Sequence, residues 1–205
     1  MTSHTNLQER FGNLDIYLFD QLLKGRISPP MRVLDAGCGA GRNIVYLLRE
    51  GYEVFGVDQS AEAVDHTRAL ASQLAPNLPH GNFRVEAVEE LSFPDADFDF
   101  VISSAVLHFA CSELHWRRMV CEMWRVLKPG GILFARLAST IGIEQLVERI
   151  EERRFRLPDG SELFLVDENM LAHATESCGG ALIEPIKSVV VEGRRSMAVW
   201  CLMKG

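Results

Sequence analysis

Short runs of β-branched and apolar residues alternate along this chain with segments whose apolar positions recur at helical spacing. That alternation is the pattern of a parallel sheet covered by helices on both faces. Strands are expected over residues 31–37, 53–58, 82–88, 98–104 and 131–137. Between them, residues 42–50 carry Ile44, Leu47 and Leu48 on one face and stop at Gly51, a residue suited to end a helix. Ser60 is placed to cap a helix running to Leu74, and Ser112 one that carries Trp116, Met119, Val120, Met123 and Leu127. Lys128-Pro129-Gly130-Gly131 then reads as a turn that relaunches the chain into the fifth strand.

The flanks follow other rules. Residues 11–26 set Ile16, Phe19, Leu22 and Leu23 at helical spacing, which predicts an amphipathic helix lying across the sheet. Beyond the fifth strand, Ile143, Leu146, Val147 and Ile150 predict another helix, whose solvated face holds Glu144, Glu148, Arg149, Glu151 and Glu152. Pro158-Asp159-Gly160 marks the turn of a small hairpin. Residues 167–177 read as a helix, and the runs on either side of Gly193-Arg194-Arg195 as a terminal antiparallel pair.

Composition narrows the function classes. A chain of 205 residues with 47% hydrophobic and 24% charged residues is an ordinary globular composition, and one domain is the expectation. With 28 acids against 21 bases the formal charge is -7, which argues against a nucleic-acid partner gripped through its phosphates. No apolar run is long enough for a membrane span, and the first fifteen residues lack the apolar segment of a secretory signal, so a cytoplasmic protein without a membrane partner is expected. Cys38, Cys111, Cys121, Cys178 and Cys201 form no CxxC pair and read as reduced thiols. His108, Cys111 and His115 lie close together, but their spacing fits no familiar metal site, and no metal is expected.

The segment from Val33 to Asn43, VLDAGCGAGRN, carries the most chemistry. A glycine-rich turn between a buried strand and a helix lets a ligand approach backbone that any side chain would shield. Counted from Gly37, the third glycine of a dinucleotide GxGxxG fingerprint would fall on Arg42, and the chain has GxGxG instead. Asp35, two positions before the first glycine, suits a cationic or hydroxylated group better than a pyrophosphate. Asp58, ending the second strand, is placed to accept hydrogen bonds from ribose hydroxyls. A nucleoside without phosphates fits these residues better than NAD.

In VLDAGCGAGRN, GVDQS, EAVEELSFPDADFDFVISSAVLHF and VLKPGGILFARL, taken in order, the chain resembles the class I S-adenosylmethionine-dependent methyltransferases, and within them the small tellurite-resistance TehB-like enzymes. The resemblance implies a Rossmann-like αβα sandwich: an α/β fold in three layers, with a seven-stranded, mostly parallel sheet and an antiparallel C-terminal strand. It implies S-adenosyl-L-methionine as cofactor, S-adenosyl-L-homocysteine as product and a small-molecule methyl acceptor such as a tellurite-like oxyanion or a thiol. Residues 1–30 would form a helical lid, 31–137 the cofactor-binding core and 138–205 the substrate side.

Carried over position by position, Asp35, Gly37, Cys38, Gly39 and Gly41 would cradle the methionine part, with Arg42 and Asn43 beside it. Asp58 would hold the ribose and Gln59 lie along the adenine. Where the family commonly has Asp-Ala-Glu after strand three, this chain has Ala87-Val88-Glu89. The usual adenine-binding acid is missing there, which leaves the Val88 backbone and Glu89 for that task. Ser103 and Ser104 would approach the methyl-bearing end, with His108 as candidate general base, Tyr17 and Asp15 on the N-terminal helix as a lid over the cofactor, and Tyr17 and Arg136 toward the substrate. Two other readings remain at this point: a non-catalytic domain that binds the same nucleoside, and an NAD-dependent oxidoreductase. Oligomeric state is not readable from the sequence.

Overall fold

The computed structural model describes residues 6–205, so the first five residues of the expected lid lie outside the described residues. Five parallel strands form the centre: β1 (Arg32–Ala36), β2 (Glu53–Asp58), β3 (Phe83–Val85), β4 (Phe98–Ser104) and β5 (Leu127–Ser139). They run β3-β2-β1-β4-β5 across the sheet, which continues antiparallel into β11 (Arg195–Lys204) and β10 (Lys187–Val191). Those seven strands match the expected sheet; a short eighth, β9 (Gly180–Leu182), also pairs with β11.

Because side chains alternate across a strand, a sheet buried on both sides has two apolar faces. Leu34, Phe55, Val101, Leu133 and Trp200 fill one face, against α5 (Glu113–Val126) and α6 (Glu168–Ser177). Their neighbours Val33, Val54, Ile102, Phe134 and Val199 fill the other, against α2 (Ile16–Leu23), which follows the short α1 (Leu7–Phe11), and against α3 (Val45–Arg49) and α4 (Ala61–Leu74). The result is the three-layer Rossmann-like sandwich. Among the described residues no helix is long and apolar enough to cross a membrane.

Ser60, Ser112 and Asp167 cap α4, α5 and α6 through hydrogen bonds from Ala63, His115 and Met170 N–H. Several boundaries differ from the sequence reading. Residues 42–44 are turns, and α3 begins only at Val45 because the glycine loop uses that stretch to change direction. The third strand is shorter than expected, at three residues. Lys128 to Gly131 interrupts the pairing of β4 with β5 as a bulge inside a longer strand, with Gly130 at φ 76°. On α2, Ile16 and Leu23 face solvent while Leu18 and Gln21 are buried, a rotation of the expected face.

The helix expected around residues 143–150 is absent. Turns at Thr140–Ile143 and Ile143–Leu146 take its place, and β6 (Glu148–Glu151) begins a three-stranded antiparallel sheet with β7 (Arg154–Arg156) and β8 (Glu162–Phe164). Of the charges read as helical partners, Glu148 pairs across strands instead, with Arg156 at 3.3 Å, and Arg156 also reaches Glu162 at 2.9 Å. The Pro158-Asp159-Gly160 turn joins β7 to β8 as expected.

Candidate functional site

From β1 the chain builds outward to β2 and β3, then crosses back to β4, so a crevice opens at the carboxyl ends of the strands where the order reverses. The glycine loop fills that position. Gly37 and Cys38 N–H both donate to Val57 O, at 2.8 and 2.9 Å, which bends the chain off β1 toward β2. Gly37, Gly39 and Gly41 all have positive φ, a conformation that costs an L side chain roughly 1 to 2 kcal/mol.

Each glycine has its own steric reason. A Cβ on Gly37 would stand 2.3 Å from Val106 Cγ2, and one on Gly41 2.8 Å from Leu70 Cδ2, so these two glycines let the loop pack onto the turn after β4 and onto α4. A Cβ on Gly39 would meet nothing within 4 Å. Gly39 lines a cleft of about 470 Å³, and its missing side chain leaves that space to a ligand.

The cleft gathers most of the residues singled out in the sequence: Gly37, Cys38, Gly39, Arg42, Asn43, Asp58, Gln59, Ala87, Val88, Glu89 and Ser104 all line it. Asp58 Oδ2 accepts from Gly39 N–H at 3.0 Å and Oδ1 from Ser60 N–H at 2.9 Å, so one carboxylate holds both the glycine loop and the start of α4. Each of its oxygens keeps a further lone pair.

Asp35 lies beneath the loop rather than in the lining. It is fully buried, and neither carboxylate oxygen has a hydrogen-bond partner among the described residues. Burial pushes its carboxyl up to about 8, against an opposing pull from Arg42 and with a further push from Asp58. A buried carboxylate without a donor is costly, and this one calls for a cation or a strong donor close by. Ser103 Oγ is also buried without a partner.

A knot of polar side chains closes the β4–β5 side. Asp15, whose side chain has no exposed area, caps α2 through Tyr17 N–H at 2.9 Å and accepts Arg136 Nη1 at 2.6 Å. Ser104 Oγ donates to Asp15 at 3.4 Å and accepts from Arg42 at 3.1 Å, while Asp15 N–H donates to Asn43 at 3.2 Å. Tyr17 lies with its ring 5.5 Å from the Arg136 guanidinium. Tyr17 and Arg136 therefore stand outside the lining, engaged in holding α2 to the glycine loop and the ends of β4 and β5. The sequence pairs Asp15 with Tyr17 as lid residues, but not with Arg136, since an N-cap aspartate looks the same whether buried or wet.

His108 is also outside the lining. Its buried ring accepts a long 3.4 Å hydrogen bond from Ala138 N–H at Nδ1, and burial pulls its pKa down to about 4. The histidine that does face the cleft is His115 on α5, with Met119, Val106 and Phe109 beside it. The helical spacing of His115 and Met119 is the one sequence signal for that wall. Among the described residues no group of three or more metal-ligating side chains comes together.

Comparison with known proteins agrees with this geometry. Residues 34–135 match the model of the methyltransferase domain family. An uncharacterized methyltransferase of Synechocystis sp. is 35% identical over 106 residues, which are 52% of this chain and 46% of that protein. The chain spans 34% to 62% of the length of the first curated relatives it matches. In fold it is similar to an S-adenosylmethionine-dependent methyltransferase from Methanosarcina mazei, with TM-score 0.66 and 22% identity over 89% of this chain and 97% of the other. It is also similar to the 1,6-didemethyltoxoflavin-N1-methyltransferase of Burkholderia thailandensis, solved with 1,6-didemethyltoxoflavin and S-adenosylhomocysteine, at TM-score 0.70 and 19% identity over 98% and 82%. Strand order, the glycine loop at the switch point and the matched segment together make residues 34–135 a methyltransferase domain of class I fold.

Proposed function

We propose that the cleft binds S-adenosyl-L-methionine and that the protein transfers the methyl group to a small-molecule acceptor, releasing S-adenosyl-L-homocysteine, as a cytoplasmic enzyme. The observation that carries this reading is the unpartnered, buried carboxylate of Asp35 directly under a glycine loop. A ligand with an ammonium group at that loop would meet the charge that Asp35 lacks, and one with a vicinal diol would meet the free lone pairs of Asp58. Val88 and Met119, both buried, give the opposite end an apolar wall for an aromatic base. When bound, the cofactor supplies a methyl group on a sulfonium, electrophilic enough to need no covalent help from the protein.

What the chain contributes is position and dryness. Gly39 leaves room for the ligand, Asp35 and Asp58 fix its two polar ends, and the Asp15 knot holds α2 against the loop. This reading routes no proton through His108, because it stands outside the cleft lining and burial, pulling its pKa to about 4, leaves the ring a weak base. The resemblance to TehB-like enzymes makes a tellurite-like oxyanion or a thiol the first acceptors to assay. Against the oxyanion, Arg136 already has its charge matched by Asp15.

Thermal shifts with S-adenosylmethionine, S-adenosylhomocysteine and NAD on wild type and Asp58→Ala test the binding. The first two ligands are expected to stabilise the wild type by RT ln(1 + [L]/Kd), and Asp58→Ala to lose that gain. A shift with NAD alone overturns the reading. Turnover is then sought with a panel of thiols, oxyanions, amines and phenols; binding without turnover on any of them favours a sensor of the same nucleoside.

A further inference from the structure

Three side chains from two elements meet at the rim of the cleft. Cys111, exposed in the turn before α5, has its Sγ 3.2 Å from Nδ1 of His115, one helical turn along. Across the imidazole, Nε2 stands 3.2 Å from Oε1 of Glu89, off the line of a good hydrogen bond. The backbone N–H of Cys111 also donates to Nδ1, at 3.1 Å. Nδ1 is thus an acceptor, and the ring proton sits on Nε2 facing Glu89.

This is the arrangement a nucleophile needs: a thiol on the accepting nitrogen of a base, and an acid on the far side to orient the ring and balance its charge. The other cysteines set the contrast. Burial pushes the Cys38 and Cys201 thiols up to about 12. Cys121 is exposed on the same helix, with no imidazole partner among the described residues.

We propose that Cys111 is a reactive thiol that undergoes exchange with low-molecular-weight disulfides, with His115 as its base and Glu89 as the partner of the imidazolium. The Cys111 proton passes to His115 Nδ1 and the sulfur attacks one sulfur of the disulfide. That S–S bond breaks as a mixed disulfide forms on Cys111, and the departing thiolate takes the proton back from His115. Cys111 is oxidised and the departing half is reduced, so nothing beyond the disulfide is consumed. His115 and Glu89 line the cleft, which puts the adduct at its mouth whether or not the cleft serves methyl transfer.

The test treats the full chain with oxidised glutathione and follows Cys111 and Cys121 in the same sample by peptide mass spectrometry. In the wild type, Cys111 is expected to react about tenfold faster than Cys121 or more. The ratio should fall toward one in His115→Ala, and equally in His115→Gln, which keeps a polar side chain but cannot take the proton. Glu89→Gln should fall between. Circular dichroism verifies that each variant is folded. Equal rates at the two cysteines in the wild type, or an unchanged ratio in His115→Gln, overturn the proposal.

Discussion

Replacing Asp35 with asparagine turns the unpartnered carboxylate into a measurable slope. Burial raises this carboxyl from 3.8 to about 8. In the unfolded chain it has lost most of its proton by about pH 5, whereas the folded chain holds that proton to about pH 8. The native state binds more protons across this window, so stability falls as pH rises. One such group contributes about 1.4 kcal/mol per pH unit, or roughly 3 to 4 kcal/mol between pH 5 and pH 8 once the flattening near the upper pKa is included. The amide of the Asp35→Asn variant does not titrate. It adds a constant offset, so the unfolding free energy of the variant minus that of the wild type should grow by that amount over the window. His108 works in the opposite sense: its depressed pKa makes stability rise with pH between about 4 and 6.5, but it is present in both proteins and cancels. Urea unfolding of the ligand-free proteins at several pH values between 5 and 8, with the m-value fixed by circular dichroism, gives the difference directly. A difference that stays flat with pH would falsify the argument, because it would mean that the folded protein already ionises Asp35.

Other consequences are open to direct measurement. If a ligand ammonium ionises Asp35, binding of S-adenosylmethionine at pH 7 should release close to one proton, which appears as a dependence of calorimetric enthalpy on buffer ionisation heat; no such dependence argues against contact with Asp35. Gly39→Ala, with open space around its Cβ, should fold with a loss of about 1 to 2 kcal/mol yet bind the cofactor poorly. Gly37→Ala adds a 2.3 Å clash with Val106, so it should cost more stability, and Val106→Ala should recover part of it; equal costs for the two glycines would refute this assignment of roles. Arg136→Met leaves the buried Asp15 charge without its cation and should destabilise by about 3 kcal/mol in denaturant unfolding, against less than 1 for an exposed pair such as Arg10–Glu50.

How far the sequence reached depended on whether a feature was local. The five central strands announce themselves because both faces are buried, giving runs such as Phe98 to Ile102 with few polar interruptions. Asp35, Gly37 and Asp58 were legible because a turn and two strand ends fix their spacing. Residues 143–150 misled, since Ile143, Leu146, Val147 and Ile150 recur at helical intervals while the energy comes from pairing with β7, which no local pattern contains. Leu146 and Ile150 are half exposed while Ile143 is buried and Val147 packs beside Phe155, so the stripe does not form one buried face. The same limit hid the meeting of His115 with Glu89 and the burial of Asp15, because each depends on a partner from a distant segment.

The Asp15 knot also bears on the order in which the molecule can be assembled. It joins residues 28, 89 and 121 positions apart, through Asn43, Ser104 and Arg136. During synthesis α2 is made before β5, yet its anchoring carboxylate has no cation to meet until residue 136 has emerged. Until then α2 has only its apolar side and the longer bonds to Asn43 and Ser104 to hold it, and nucleation cannot use a contact that closes so long a loop. The segment carrying α2 is thereby the piece that waits, and a nascent chain stalled short of β5 should leave α2 open to protease while the chain that includes β5 protects it.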